Sequence, residues 1–191
     1  ILQHVKNKAT YTLALSGTPW RSDNTAIVLS KETPPIECDY QYSLLNAVQD
    51  NVCRKPKVVL IDNEKLILST RKIKSKHFTS ISNLLNEPSV NYSLILNDPK
   101  AILYLLRMGC EKLGAIRNDN RDAGGLVVAS SVSHAEMILK VLTQELGQSA
   151  VLVSYKVPGA HQIIDSFRSS GIQWIVSVGM ISEGTDIPRL Q

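Results

Sequence analysis

Four groups of residues in this chain have the types and spacing that chemistry on phosphate or ribose would need. One is Glu183-Gly184-Thr185-Asp186, which follows the buried-strand run 174–178 and precedes Pro188. In a parallel α/β sheet, ligands bind at the carboxyl ends of the strands. A glycine there lets the backbone approach an anion, and its neighbours' N–H groups can face that anion. The flanking carboxylate and hydroxyl suit a ribose and a phosphate. A second group is Ser16-Gly17-Thr18-Pro19-Trp20-Arg21-Ser22-Asp23, after the apolar run 11–15. Taken alone, it reads as a turn whose hydroxyls cap its own backbone. A third is Ser130 and Ser131, between a strand and a helix start. There, hydroxyls and N–H groups could hold a phosphate, or Ser131 or Ser133 could simply cap the helix. The fourth is Ser154 and Tyr155, closing a further strand at the same edge, where the tyrosine either stacks on a base or packs at the rim.

A basic run adds a different possibility. Arg54, Lys55, Lys57, Lys65, Arg71, Lys72, Lys74 and Lys76 are opposed only by Asp62 and Glu64. Such a run is either a solvated face or a track for a nucleic-acid backbone, with Lys72, Lys74 and Lys76 as the contacts. His134 and His161 fall near helix starts with no acid or cysteine at ligand spacing, so they read as surface histidines, and no metal site is expected. Several enzyme classes lack their signature. There is no G-x-S-x-G elbow, no G-x-G-x-x-G after a strand, no G-x-x-x-x-G-K-[ST] loop and no D-E-x-H pair.

The elements that must position these groups follow from periodicity. Residues 1–9 read as the tail of an amphipathic helix and 11–15 as a buried strand. Pro34-Pro35 interrupts the weakly patterned stretch 26–42. A short helix is expected at 43–49. Residues 58–61 and 66–69 are β-type runs around Asp62-Asn63-Glu64-Lys65, which reads as a hairpin. A helix is expected over 76–86, and 89–96 is ambiguous. Asp98-Pro99 is a cap followed by proline at the first helical position, opening a long helix that ends near Arg117. The polar stretch 118–122, closed by Gly124-Gly125, marks a domain boundary. Beyond it, strands at 126–129, 150–153 and 174–178 alternate with helices at 133–146 and 160–168. That alternation implies a parallel sheet with right-handed crossovers.

At 191 residues, 43% apolar and 20% charged, the chain has an ordinary globular composition. Its net charge of +4 permits a polyanionic partner without demanding one. Cys38, Cys53 and Cys110 are odd in number and widely spaced, which argues against a disulfide framework or zinc site and fits a reducing compartment. With no membrane-length apolar run and no signal-peptide pattern, a cytoplasmic location is expected. The missing initiator methionine suggests a section of a longer protein.

Two stretches carry a family resemblance. Phe167-Arg168 and Ile175-Val-Ser-Val-Gly-Met-Ile-Ser-Glu-Gly-Thr-Asp-Ile-Pro188 resemble motif V of superfamily 2 helicases, in the branch near restriction-enzyme motor subunits. Leu13-Ala-Leu-Ser-Gly-Thr-Pro-Trp-Arg-Ser-Asp23 resembles that branch's motif III, about 160 residues earlier. The resemblance covers the two ends of the chain and hardly touches the middle. It implies an α/β fold in which 1–42 end a first RecA-like domain, 43–122 form a mixed connector with a β-hairpin and helices, and 123–191 begin a second, incomplete RecA-like domain. It implies that Ser16, Gly17 and Thr18 couple the nucleotide site to the opposing domain, with Arg21 and Asp23 at the cleft's edge. Gly184 and Thr185 would contact a nucleic-acid phosphate, Asp186 would reach the ATP ribose or nucleotide face, and Glu183 would hold that loop. Ser130 and Ser131 would lie where the family's motif IV faces single-stranded nucleic acid, with Ser154 at the same edge. ATP and Mg2+ would act in the full-length protein, with DNA favoured over RNA by analogy with the branch. The alternatives are a nucleic-acid-binding module without motor activity and a duplex translocase of a restriction system.

Overall fold

Trp174–Val178 is buried at every position, and the larger sheet is assembled around it. The structure, a computed structural model, describes residues 8, 10, 11, 13, 15, 38–62, 66–68, 75–156, 158–181 and 185–190. The chain divides into two units, Ile1–Leu60 and Ile61–Gln191.

In the first unit, the expected helix forms as α1 (Leu44–Gln49). Its start is a reciprocal cap: Asn46 N–H donates to Ser43 Oγ, and Ser43 N–H donates to Asn46 Oδ1, both at 3.2 Å. The Tyr42 hydroxyl donates to Asp50 at 2.7 Å. The helix stops before Asn51, whose φ of 56° is a left-handed value that asparagine tolerates.

The second unit opens on a small antiparallel pair, β1 (Leu66–Leu68) and β2 (Lys76–Phe78), with Ile67 opposite His77. This corrects the expected hairpin. Residues 58–61 form no strand, and β1 pairs forward instead of backward. Asp62, expected in the turn, accepts the Ile81 N–H at 2.7 Å. The helix expected over 76–86 shrinks to α2 (Ile81–Leu85), because Ser80 caps it, accepting the Asn83 N–H at 3.0 Å, while Lys76–Phe78 are held in the ladder. The ambiguous stretch is helical: α3 (Tyr92–Leu96), capped by Asn91.

The long helix α4 (Pro99–Asp119) starts as expected, with Asp98 accepting the Ala101 N–H at 2.8 Å. Then come β3 (Gly125–Val128), α5 (Val132–Lys140), β4 (Ala150–Ser154), α6 (Ala160–Ser169) and β5 (Trp174–Val178). The end of α5 widens into a π turn, Val141–Glu145, in which Leu146 N–H reaches back to Val141 O and the Thr143 hydroxyl donates to Leu139 O. All three strands are parallel in the order β3-β5-β4, so β5 is flanked on both sides. A strand buried on both faces reads as a continuous apolar run, which is why β5 is visible in the sequence.

Two apolar clusters sandwich the sheet. Ile102, Leu106 and Leu113 of α4 join Ala135, Ile138 and Leu142 against Trp174 and Val176. Ile164 and Phe167 of α6 join Val153, Ile175 and Ile187. The helix α4 thus shares one core with the sheet, and the polar stretch 118–122 is the link from α4 to β3. At β3's start the fit is tight: a Cβ on Gly125 would lie 2.3 Å from the Trp174 ring. Among the described residues, no helix is long and apolar enough to cross a membrane.

Candidate functional site

Parallel strands gather their carboxyl ends at one edge, and that edge carries Ser130, Ser131, Ser154 and Tyr155. Ser131 is the cap of α5: its hydroxyl accepts the His134 N–H at 3.1 Å and lies 3.1 Å from Ser133 Oγ. Ser130 and Ser131 are both exposed, and the first-turn N–H groups of α5 point out beside them. This is a geometry that suits an anion.

Beneath them is His134, which is buried, at 5% exposed. This corrects the expectation of a surface histidine. His134, Ala135, Ile138, Val141 and Leu142 form the inward stripe of the α5 segment, a spacing that the sequence already displays. The imidazole Nδ1 is 3.2 Å from Ser130 N and 2.9 Å from Ser130 Oγ, while Nε2 is buried without a partner among the described residues. Burial pushes the His134 pKa below its ordinary value. His161 is exposed, as expected.

Ser154 is fully buried, and its hydroxyl accepts the Lys156 N–H at 3.3 Å, so it shapes the turn. Ser177 of β5 does the same one strand over: fully buried, it accepts the Ile181 N–H at 3.0 Å, just past Gly179 with its left-handed φ of 64°. Sequence reasoning passed over Ser177 because a hydroxyl inside an apolar strand gives no outward signal. Tyr155 is 67% exposed and free to offer its ring.

Of the Glu183–Asp186 loop, Glu183 and Gly184 lie outside the described residues, as do Ser16, Gly17, Thr18, Arg21, Asp23, Lys72 and Lys74. Thr185 is half-buried and Asp186 is exposed. The Asp186 carbonyl accepts Arg168 Nε at 2.9 Å, and Arg168 in turn pairs with Asp165 at 2.8 Å. Arg168 stands in the last turn of α6, a helix that runs away from the carboxyl edge, so the backbone of Asp186 is tied toward the opposite edge from Ser130 and Ser131. Lys76 pairs with Glu87 and lies 5.6 Å from the Phe78 ring centroid. A carboxylate eleven residues away thus takes up a charge expected to face solvent or phosphate.

Arg189 was not singled out by the sequence, yet it anchors this region. It is 7% exposed, and its Nε donates to Asp122 O and its Nη1 to Phe167 O, each at 2.7 Å, with Ser170 O as a further acceptor of Nη1. Its guanidinium lies 4.5 Å over the Phe167 ring. Burial first, then the neighbouring Arg117, lower its pKa, with Asp122 opposing. Among the described residues, no group of three or more His, Cys, Asp or Glu could hold a metal ion.

Comparison with known proteins gives relatives without assigned roles. The chain is 29% identical over 191 positions to an uncharacterized protein of Mycobacterium leprae, covering 95% of this chain and 32% of that one. It is 28% identical over 190 positions to an uncharacterized protein of Mycobacterium tuberculosis (strain H37Rv), covering 95% and 31%. The chain therefore spans about a third of the length of the curated relatives it matches. No family model matches it, and no solved structure matches it.

Proposed function

We propose that this chain is a section of an ATP-dependent nucleic-acid helicase or translocase, running from the end of a first RecA-like domain through a connector into a second. The observation that carries this reading is that the separated parts of the motif V resemblance meet in space. Arg168 donates to the Asp186 carbonyl, and Phe167, Ile175 and Ile187 share one buried cluster. Support also comes from Ser130 and Ser131 at the amino end of α5, where N–H groups and hydroxyls can meet a phosphate without reading sequence. Of the residues assigned to ATP, Asp186 has an exposed carboxylate, which fits a ribose or nucleotide contact. ATP and Mg2+ would supply the driving chemistry in the full-length protein, and DNA is the favoured track. A cytoplasmic location belongs to the same reading.

The test is ATP hydrolysis by the full-length protein with and without single-stranded and duplex DNA and RNA. Stimulation by one of these supports the motor and names its substrate class. Basal or absent turnover with every nucleic acid, with binding retained, moves the reading to a non-motor binding module. The present residues contain neither the phosphate loop nor the D-E-x-H pair, so the purified chain is expected to show no magnesium-dependent turnover.

A further inference from the structure

Ser130 commits both of its hydrogen-bond donors to one atom. Its backbone nitrogen and its hydroxyl lie 3.2 Å and 2.9 Å from Nδ1 of His134. A backbone N–H can only donate, so Nδ1 is the bare acceptor and the ring proton sits on Nε2. That tautomer makes the Ser130 hydroxyl the second donor to the same nitrogen. It also leaves the Nε2 proton buried with no acceptor among the described residues, a costly arrangement that calls for an explanation. In this state the anion-facing edge is half closed, because Ser130 turns its donors inward.

We infer that His134 is the positioning residue of this edge: neutral, it holds the Ser130 hydroxyl hydrogen, and on taking up a proton it turns that hydrogen out to a bound phosphate. The inference rests on reading the edge as a phosphate-binding surface. A protonated Nδ1 donates, so it can meet the Ser130 hydroxyl only as an acceptor, and the hydroxyl hydrogen must turn outward. The Ser130 N–H is fixed by its peptide plane and stays directed inward, so the hydroxyl alone is released. The new positive charge then lies one residue layer below the anion. Burial lowers the His134 pKa, and among the described residues no charged side chain contributes to that shift. Without an anion the ring therefore stays neutral, and a phosphate supplies the missing counter-charge. Nucleic-acid binding should then take up a proton at His134.

The experiment measures binding of a fluorescent oligothymidylate to the full-length protein between pH 5.5 and 8.0 at fixed ionic strength. It compares the unmodified protein with His134→Asn and His134→Ala, and thermal unfolding checks each fold. The unmodified protein should gain about tenfold in affinity from pH 7.5 to 5.5 beyond any change shared with the variants. His134→Asn keeps an acceptor but cannot take a proton, so it should stay at the weak, high-pH level. His134→Ala lets go of Ser130, so it should be independent of pH and tighter than His134→Asn. A purely structural histidine predicts the reverse order, with Ala weakest and the pH slope unchanged, and that result overturns the inference. If either variant fails to fold, imidazole NMR of the unmodified protein decides: saturation with oligonucleotide must raise the His134 pKa, and an unmoved pKa sinks the inference. No oligonucleotide binding at any pH overturns the edge reading itself. Binding with the same pH slope in all three proteins overturns only the role of His134.

Discussion

Arg189 and His134 stand at opposite edges of one three-stranded sheet, 7% and 5% exposed, and each keeps one nitrogen without a partner among the described residues. What they bond to separates them. Arg189 donates to the carbonyls of Asp122, Phe167 and Ser170, which are fixed acceptors on the chain entering β3 and at the end of α6. The last carbonyls of a helix have no partner within it, so a buried guanidinium there closes the helix and ties it to the strand. His134 instead holds a hydroxyl that can rotate, on an exposed residue. A buried polar group held chiefly by main-chain carbonyls, with the Ser170 hydroxyl only a longer contact at 3.4 Å, is a clamp. One that meets a movable surface donor can change state. Arg189 is thus expected to govern stability, and the edge at Ser130 and His134 binding.

The largest effect should come from breaking the clamp. Arg189→Met removes donors from several buried carbonyls and should cost about 3 kcal/mol. Urea unfolding followed by tryptophan fluorescence reads this directly. Arg189→Lys should recover little, because a single ammonium cannot span acceptors that the planar guanidinium reaches together. A midpoint within experimental scatter of the unmodified protein would remove the contrast between the two edges.

A smaller loss is expected at the same edge from Gly125→Ala. The added Cβ would stand 2.3 Å from the Trp174 ring, which is itself held by Nε1 donating to Gln148 Oε1 at 3.3 Å. Either the ring or the start of β3 must shift, at a cost of about 2 kcal/mol. Full stability in this variant would show that β3 can move away from β5, which a clamped amino edge forbids.

The contrast also explains what could be read from the sequence. The strand Trp174–Val178, the Asp98-Pro99 helix start and the short helix expected at 43–49 rest on local pattern, and each stands close to where expected. Strand pairing is not local. The run at 58–61 shows that residues are apolar but not which partner they meet, and Lys76–Phe78 took the place beside β1. Lys76 read as either a solvated charge or a phosphate contact because its counter-charge, Glu87, is eleven residues away across a loop and a helix. Ser154 was placed at the right edge, but its inward orientation depends on the turn it supports. His134 was the legible miss: its spacing to Ile138, Val141 and Leu142 announces an inward face, whereas its place near a helix start and the lack of an acid or cysteine at ligand spacing do not.

The smallest effect on stability, and the sharpest on function, belongs to Asp186. Its exposed side chain lies outside the clamp, and its one bond to α6 runs through the backbone carbonyl, which Asp186→Ala retains. Unfolding free energy should therefore move by less than about 0.5 kcal/mol. If the carboxylate reaches the nucleotide, nucleic-acid-stimulated ATP hydrolysis by the full-length protein should fall about tenfold, the equivalent of one lost hydrogen bond to a charged group. A stability loss comparable to that of Gly125→Ala would place Asp186 with the clamp. Unchanged stability together with unchanged stimulated turnover would make it a turn residue.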